Sequence, residues 1–421
     1  MNANVNADAV PLVLGLACRN SHLGSDLQAV CSLLRVSKAV QQAVLDACSG
    51  TGSSQLQVAI DGDANTAVAH GVGSPLQYLR RLSHQAQWLA RHGGLVKQLS
   101  INKCTTIPHR DLSRDLDGAD EAVVCLAVRP PVQLQELQLG QTHGSLLNPA
   151  AVLQQLDASH LTQLSVSIPV ANYGAALMPA ALQQLTALRC LRVFAGHHAP
   201  CPLQQPQILQ AYLEALPRLT RLTELSWRGS ISADLLKQLP ARVLKVRLAM
   251  PTGKLEVQHL ADKQQLQQLH LGFTGCDTTA LASLSALTRL QHLSLHMPAC
   301  KADSLTQHGS SLALSTLKQL HIGIHYADAL SPAAASAIAA ATSVSNLQLR
   351  CFRRFYGDLT AAFEPLVGLQ RLCVMDVTFG AGGSLASFGT ALTRGITHLV
   401  SCGTQLDHLH AASADHLHAH S

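Results

Sequence analysis

Residues 266–295 read LQQLHLGFTGCDTTALASLSALTRLQHLSL, and this stretch decides the fold. The six-residue pattern L-x-x-L-x-L stands at both of its ends, with the two copies starting 24 residues apart. The final L-x-L sends two apolar side chains to one face of a short strand and leaves the residue between them on the other face. One such strand cannot bury its apolar face alone. The pattern therefore predicts units that stack side by side into a parallel sheet over a continuous leucine core.

The same pattern occurs twelve times, with Val, Ile or an aromatic residue in place of some leucines. Successive copies start 38, 27, 27, 34, 21, 23, 24, 27, 27, 25 and 27 residues apart. Most of these spacings lie in the period of roughly 20–29 residues that is typical of leucine-rich repeats. From about Val96 to Ser401 the chain therefore resembles the leucine-rich-repeat superfamily. The copies begin at Val96, Leu134, Leu161, Leu188, Leu222, Val243, Leu266, Leu290, Leu317, Val344, Leu369 and Ile396, the last one being degraded.

This resemblance implies an α/β fold: a horseshoe-shaped solenoid with its parallel sheet on the concave face and helices or loops on the convex face. Helix signals in the returning segments agree with it, because Asn or Ser at an N-cap and Pro in the first turn favour a helix start. Apolar-periodic stretches open at Asn148-Pro149, Met178-Pro179 and Ser331-Pro332. A further helix-like segment, ILQAYLEAL, lies in the insertion before Leu222.

The segment before the array, residues 10–94, is predicted to be a small α-helical head with the strand-like QLQVAI in its middle. We expect a disordered N-terminus over residues 1–9, the solenoid over residues 95–405 and a disordered His-rich tail over residues 406–421. The simplest role of the head is to cap the exposed end of the solenoid core, which repeat arrays need.

A second interpretation of the head is that residues Val10 to Val44 resemble a degenerate F-box. The resemblance lies in the apolar VPLVLGLA, in Asp26-Leu27 and in VSKAV, where the family commonly has V-C-x-x-W; Ser37 and Val40 replace its Cys and Trp. It implies docking on the Skp-type adaptor of a cullin ubiquitin ligase, with the array holding the substrate. The adaptor-docking candidates are Leu12, Leu27, Leu33, Leu34, Val36 and Val40.

The repeat pattern also predicts which side chains line the concave face. Basic and imidazole side chains dominate the outward positions of the middle units, and the acidic ones are few, Glu136 and Glu224. This favours an acidic protein partner whose binding strengthens as histidines protonate below about pH 6.5; a merely solvated strand face is the alternative. The predicted partner-binding residues are Arg192, Arg228, Lys245, Arg247, His270, His292, His296, His321, His325, Arg350 and Arg371.

Composition limits the classes of function. Apolar residues make up 47% of the chain and aromatic ones 3%, and a net charge of +5 spread over 421 residues is too weak to indicate nucleic-acid binding. No uncharged apolar run approaches the roughly 20 residues of a membrane span. The twelve cysteines form no C-x-x-C pair, which favours free thiols in a reducing compartment. We expect a cytoplasmic or nuclear protein with a protein partner, no nucleic acid and no membrane.

Motifs that suggest catalysis or metal binding are weak. HRDLSRDL at residues 109–116 imitates a kinase catalytic loop without its Asn, and GHHAPCP at residues 196–202 offers ligand chemistry without a fourth ligand nearby. The alternating histidines of the tail, such as His416 and His418, suit a loose, adventitious metal site at best. We expect no catalytic residue, no cofactor and no resident metal. The chain is therefore predicted to be a protein-interaction scaffold, either the ligase receptor described above or a regulator, similar to the ribonuclease-inhibitor type of array, that inhibits or activates a partner enzyme.

Overall fold

The computed structural model describes fourteen parts of the chain, which form two compact units, Met1–Arg221 and Leu222–Ser421. The F-box-like segment, the motifs at residues 109–116 and 196–202, and the His-rich tail lie outside the described residues. The described residues are 56–61, 87, 96–102, 134–139, 149–168, 178–195, 206–229, 233–249, 257–272, 284–298, 315–325, 338–356, 365–378 and 398–402.

The first unit contains a parallel sheet in which each strand pairs with the next one along the chain. The strand over QLQVAI is its first member, so the sheet begins before residue 95, inside the segment that we expected to be a helical head. The strands are β1 (Leu56–Asp61), β2 (Val96–Asn102), β3 (Glu136–Leu139), β4 (Gln163–Ile168) and β5 (Cys190–Ala195).

Three described α-helices lie in the returning segments of the first unit. They are α1 (Pro149–Gln154), α2 (Met178–Gln183) and α3 (Pro206–Ala215). A 3-10 turn at Leu216–Arg218 follows α3. Each helix has a Pro at its first or second residue, where the missing N–H costs no hydrogen bond. Buried side chains of α1 and α2 face the apolar layer beneath the strands. The helices predicted at residues 149 and 178 and over ILQAYLEAL are confirmed.

The second unit continues the same construction with eight described strands, parallel along the chain from β6 to β13. Two short returns hold single 3-10 turns, Ala233–Leu235 and Val257–Leu260, because the repeats there are only 21 and 23 residues long. The strands are β6 (Glu224–Arg228), β7 (Lys245–Ala249), β8 (Gln268–Gly272), β9 (His292–Pro298), β10 (Gln319–His325), β11 (Asn346–Tyr356), β12 (Arg371–Thr378) and β13 (His398–Cys402).

The core consists of rows of apolar side chains that run across the strands. Within each unit, the fourth residue of a described L-x-x-L-x-L copy pairs in register with the same residue of the next copy. Each of these residues whose side chain is described is at most 2% exposed. Burying one leucine contributes roughly 1.5–3 kcal/mol. Trp227 takes an inward position in β6 with 0% exposure, as its place in the pattern predicts. In the second unit this row is Leu225, Val246, Leu269, Leu293, Leu320, Leu347 and Leu372.

A repeated backbone arrangement fixes the register at the start of the strands. From β3 to β5 and from β6 to β12, one carbonyl oxygen of each repeat accepts hydrogen bonds from two successive N–H groups of the next repeat. The carbonyl of Leu244, for example, accepts from Gln267 at 2.8 Å and from Gln268 at 3.0 Å, and that of Gln267 accepts from Gln291 at 2.8 Å and His292 at 3.0 Å. We call this arrangement the carbonyl clamp. Because a slip of one residue would turn every leucine outward, the clamp and the leucine rows enforce the same register.

These strands and returns form an α/β leucine-rich-repeat solenoid, as the sequence predicts. The parallel pairing, the repeat length and the leucine rows define it.

Candidate functional site

The side chains between the buried leucines form one face of the sheet, which we call the polar face. In the second unit the strand register arranges them in three rows. The first row is Glu224, Lys245, Gln268, His292, Gln319, Asn346 and Arg371. The second is Ser226, Arg247, His270, Ser294, His321, Gln348 and Cys373. The third is Arg228, Ala249, Gly272, His296, Gly323 and Arg350. The predicted basic stripe is therefore spread over three rows.

Positive charge dominates this face. All five arginine and lysine side chains in the three rows are exposed, and Glu224 is the one carboxylate among these described positions, so the rows carry five positive charges and one negative charge. Lys245 Nζ lies 4.0 Å from Glu224 Oε2. Such an exposed pair contributes at most about 1 kcal/mol, so Lys245 is not strongly held by it. The five basic residues are Arg228, Lys245, Arg247, Arg350 and Arg371.

Three histidines on β8, β9 and β10 come together in the middle of the polar face. The ring centroids of His270 and His296 are 5.1 Å apart with their planes tilted by 54°, and those of His296 and His321 are 4.7 Å apart at 77°, edge to face. We call His270, His296 and His321 the imidazole cluster. The rings are in contact because His296 lies on β9, between the strands of the other two, and in the third row, next to the second row that holds His270 and His321.

Local contacts position the cluster. Ser294 Oγ lies 3.2 Å from His321 Nδ1 and forms a hydrogen bond with it. His321 Nε2 is buried and has no hydrogen-bond partner among the described residues. Gly323 provides the space for the ring of His296, because a Cβ at residue 323 would lie 2.8 Å from His296 Cε1. The cluster is therefore built from one serine, one glycine and three rings on neighbouring strands.

Burial keeps part of the cluster uncharged. Burial, with smaller effects from Arg247 and His321, lowers the pKa of His270 from 6.5 to about 4. Burial, and then the charge of Arg350, also lowers the pKa of His321. The prediction that these histidines would become charged just below pH 6.5 is therefore wrong for His270 and His321. Low dielectric surroundings and neighbouring guanidinium groups both disfavour a second positive charge there.

The other predicted face residues have separate places. Arg192 is exposed on β5 of the first unit, in the same row as Gln138 and Ser165, and Glu136 lies in the neighbouring row. His292 lies in the first row of the second unit, and His325 is in β10, but its side chain lies outside the described residues. The structure thus brings together three of the predicted histidines, flanked by Arg247 and Arg350.

One buried charge was not predicted from the sequence. Lys263 is 4% exposed, and its Nζ lies 3.1 Å from Asp262 Oδ2. It occupies the place that Leu185 and Leu287 fill in other repeats, since each residue accepts the same hydrogen bond from the N–H three residues later. Alignment of the repeats upstream of the L-x-x-L-x-L copies would have revealed it.

In the parts of the chain that the structure describes, no three His, Cys, Asp or Glu side chains are placed to hold a metal ion. No helix there has the length and the apolar character that a membrane-spanning helix needs. Of the described residues, Cys190 and Cys373 are thiols that are not joined in a disulfide.

Comparisons with known proteins concern the fold. No family model matches this sequence, and no curated protein matches it. The chain is similar to the crystal structure of a TLR13–ssRNA13 complex, with 16% identity over 75% of this chain, and it spans 50% of that one, at a TM-score of 0.38. It is also similar to internalin C2 of Listeria monocytogenes, with 19% identity over 56% of this chain and 79% of that one, at a TM-score of 0.26. At these TM-scores neither likeness bears on function.

Proposed function

We propose that this chain is a protein-binding scaffold, and that the polar face of its second unit docks a partner with an acidic surface. The observation that carries the proposal is the excess of exposed arginine and lysine over carboxylate in the three rows. These side chains stand on strands whose backbone is held by the carbonyl clamp, so little backbone ordering is needed on binding. Complementary charge of this kind increases the association rate and excludes partners of the wrong sign.

A catalytic role has less support. Ser294 and His321 imitate a nucleophile and its base, since their side chains are hydrogen bonded. However, no carboxylate among the described residues meets His321 Nε2, where such a base would be oriented. The lowered pKa of His321 also weakens it as a proton acceptor. We therefore propose binding rather than catalysis as the function of this face.

Charge reversal tests the scaffold function. Full-length protein and the double variant Arg247→Glu, Arg350→Glu would each be used to capture partners from cell extract, with mass spectrometry as the readout. We expect the double variant to lose the partners with acidic surfaces, because both changes put negative charge on exposed strand positions. The double variant Lys237→Glu, Arg242→Glu is the matched control, since both residues are exposed in the same unit but lie outside the three rows. An unchanged partner set in the double variant would contradict the proposal.

We propose in addition that the F-box-like segment docks a Skp-type adaptor, which would make the array a substrate receptor. Its support is the sequence pattern in residues 10–44, which lies outside the described residues. The test compares the full chain with a chain lacking residues 1–50. Adaptor and cullin captured only by the full chain support the receptor. The same partners with both chains, and no ligase subunit, would instead favour the regulator of a partner enzyme, with the head as a cap.

The expectation that no nucleic acid binds stays a prediction. Adding a single-stranded RNA competitor to the capture experiment tests it.

A further inference from the structure

The imidazole cluster is flanked by an arginine at each end. Arg247 on β7 pairs in register with His270 on β8. Arg350 on β11 lies diagonally next to His321 on β10, since its register partner is Gly323. Each guanidinium is close enough to lower the pKa of the neighbouring imidazole. The polar face thus holds two Arg–His pairs, with Ser294 and His296 on the strand between them.

The spacing of the two pairs follows from the sheet. One pair is centred between β7 and β8 and the other between β10 and β11, which is three strand spacings, or about 14 Å. An extended peptide rises about 3.4 Å per residue and places every second side chain on the same side. Residues i and i+4 of such a peptide are therefore also about 14 Å apart, with residue i+2 over the middle.

The chemistry of the surface suits carboxylates at the two ends. A guanidinium donates two parallel hydrogen bonds to a carboxylate, and an adjacent imidazole N–H can add another. The middle is different, because none of the row positions on β8, β9 and β10 holds an arginine or a lysine. The lowered pKa values of His270 and His321 also favour the uncharged form of the two rings beside it. An uncharged residue fits there without losing an ionic contact.

This charge distribution favours a protein segment over a nucleic-acid strand. A strand of duplex nucleic acid carries one phosphate per roughly 3.4 Å of axis, so several phosphates would lie over the uncharged middle. An acidic peptide can place its charges at the ends alone. Binding over the middle of the cluster would therefore be less favourable for a nucleic acid than for an acidic peptide.

We propose that the imidazole cluster and its two arginines form a subsite for an extended acidic segment of the partner, with carboxylate side chains at positions i and i+4 and an uncharged residue at i+2. This rests on the proposed function, since it names the part of the partner that the polar face holds. Arg247 and His270 bind one carboxylate, Arg350 binds the other beside the buried ring of His321, and Ser294 and His296 meet the residue between.

The test measures fluorescence anisotropy of labelled peptides with the full-length protein at pH 7. The probe carries Glu-Thr-Leu-Thr-Glu between Gly-Ser flanks, and its controls carry Gln-Thr-Leu-Thr-Gln and the closer-spaced Glu-Leu-Glu. We expect the probe to bind at least tenfold more tightly than either control, since each lost charge-assisted contact costs about tenfold in affinity or more. Arg247→Gln and Arg350→Gln should each weaken the probe about tenfold, and Arg242→Gln should leave its affinity unchanged. Unchanged thermal unfolding of the variants establishes that they fold.

A peptide with a single Glu gives the sharpest comparison. It can move to the remaining pair when one arginine is replaced, so either single variant should weaken it less than threefold, and only the double variant should abolish its binding. The inference is overturned if the probe does not bind at millimolar protein, if Glu-Leu-Glu binds equally well, or if a homouridine oligonucleotide binds more tightly than the probe. If these results occur while charge reversal still removes the captured partners, the inference fails and the proposed function stands. If the probe binds as expected but charge reversal changes no captured partner, the scaffold proposal fails instead.

Discussion

The ring of His296 fills the space above Gly323, its register partner on the next strand. A Cβ at residue 323 would lie 2.8 Å from His296 Cε1, closer than real side chains approach each other. The absence of a side chain at residue 323 is therefore what allows His296 to reach His321.

We predict that Gly323→Ala destabilises the second unit by about 1–3 kcal/mol, the usual effect of overpacking. The added methyl group must displace the ring of His296, which also breaks its edge-to-face contact with His321. Urea unfolding followed by circular dichroism measures the effect. Gly272→Ala is the control, because a Cβ there meets its nearest atom at an ordinary 3.4 Å, and it should be neutral or slightly stabilising. Equal effects of the two changes would refute the role given to Gly323.

Replacement of Lys263 by leucine is expected to stabilise the protein by about 1 kcal/mol. The lysine is 4% exposed at a place where other repeats bury leucine, so the change removes a buried charge and restores the repeat pattern. The midpoint of urea unfolding would rise. Lys263→Ala removes the same charge but leaves a cavity, so it should be less stable than Lys263→Leu. A leucine variant less stable than the natural protein would show that the ammonium group contributes to folding.

Trp227 is expected to be essential for the second unit. Its side chain is fully buried in the core, so Trp227→Ala should cost about 3–5 kcal/mol through lost contacts and a cavity. Circular dichroism during thermal unfolding measures this loss without depending on tryptophan fluorescence. Val367→Ala provides the comparison, since Val367 is 72% exposed and its truncation should change little. Similar melting of the two variants would argue against the inward orientation of Trp227.

Acid should destabilise the second unit partly through His270. Its pKa in the folded chain, about 4, lies below the ordinary 6.5, so the folded state holds fewer protons than the unfolded state between these values. The contribution of His270 to the free energy of unfolding therefore has its highest value above about pH 6.5, and it decreases as the pH falls toward about 4. His270→Gln removes the titrating ring.

The measurement is urea unfolding at several pH values between 7 and 4, followed by circular dichroism. The natural protein should lose more stability over this range than the His270→Gln variant does. Gln is a fitting replacement because Gln348 holds the same row on β11. His160→Gln, on the exposed surface of the first unit, should keep the acid response of the natural protein. An identical acid response of the His270→Gln variant would exclude His270 as its source.

Alternation within each L-x-x-L-x-L copy was enough to predict which residues face the core. Trp227 and Leu269 lie inward and Arg247 outward, since a period of two allows no other arrangement once leucine is buried. The imidazole cluster could not be predicted from the sequence. It depends on how far the rings from three strands are buried in the polar face and on the space that Gly323 leaves free. The charge state of His270 follows from that depth rather than from its residue type. The expected stripe was right in its sign and wrong in its response to acid.

The carbonyl clamp has a consequence for how such a chain can change. It joins one repeat to the next at a point just before the strand. The strands therefore align whatever the length of the return that precedes them. Spacings of 21 and 27 residues already coexist in the second unit, and its leucine rows remain in register. Residues can therefore be inserted or deleted in the returns of these repeats while the side chains of the polar face keep their rows, so the length of the returns and the chemistry of the polar face are free to evolve independently.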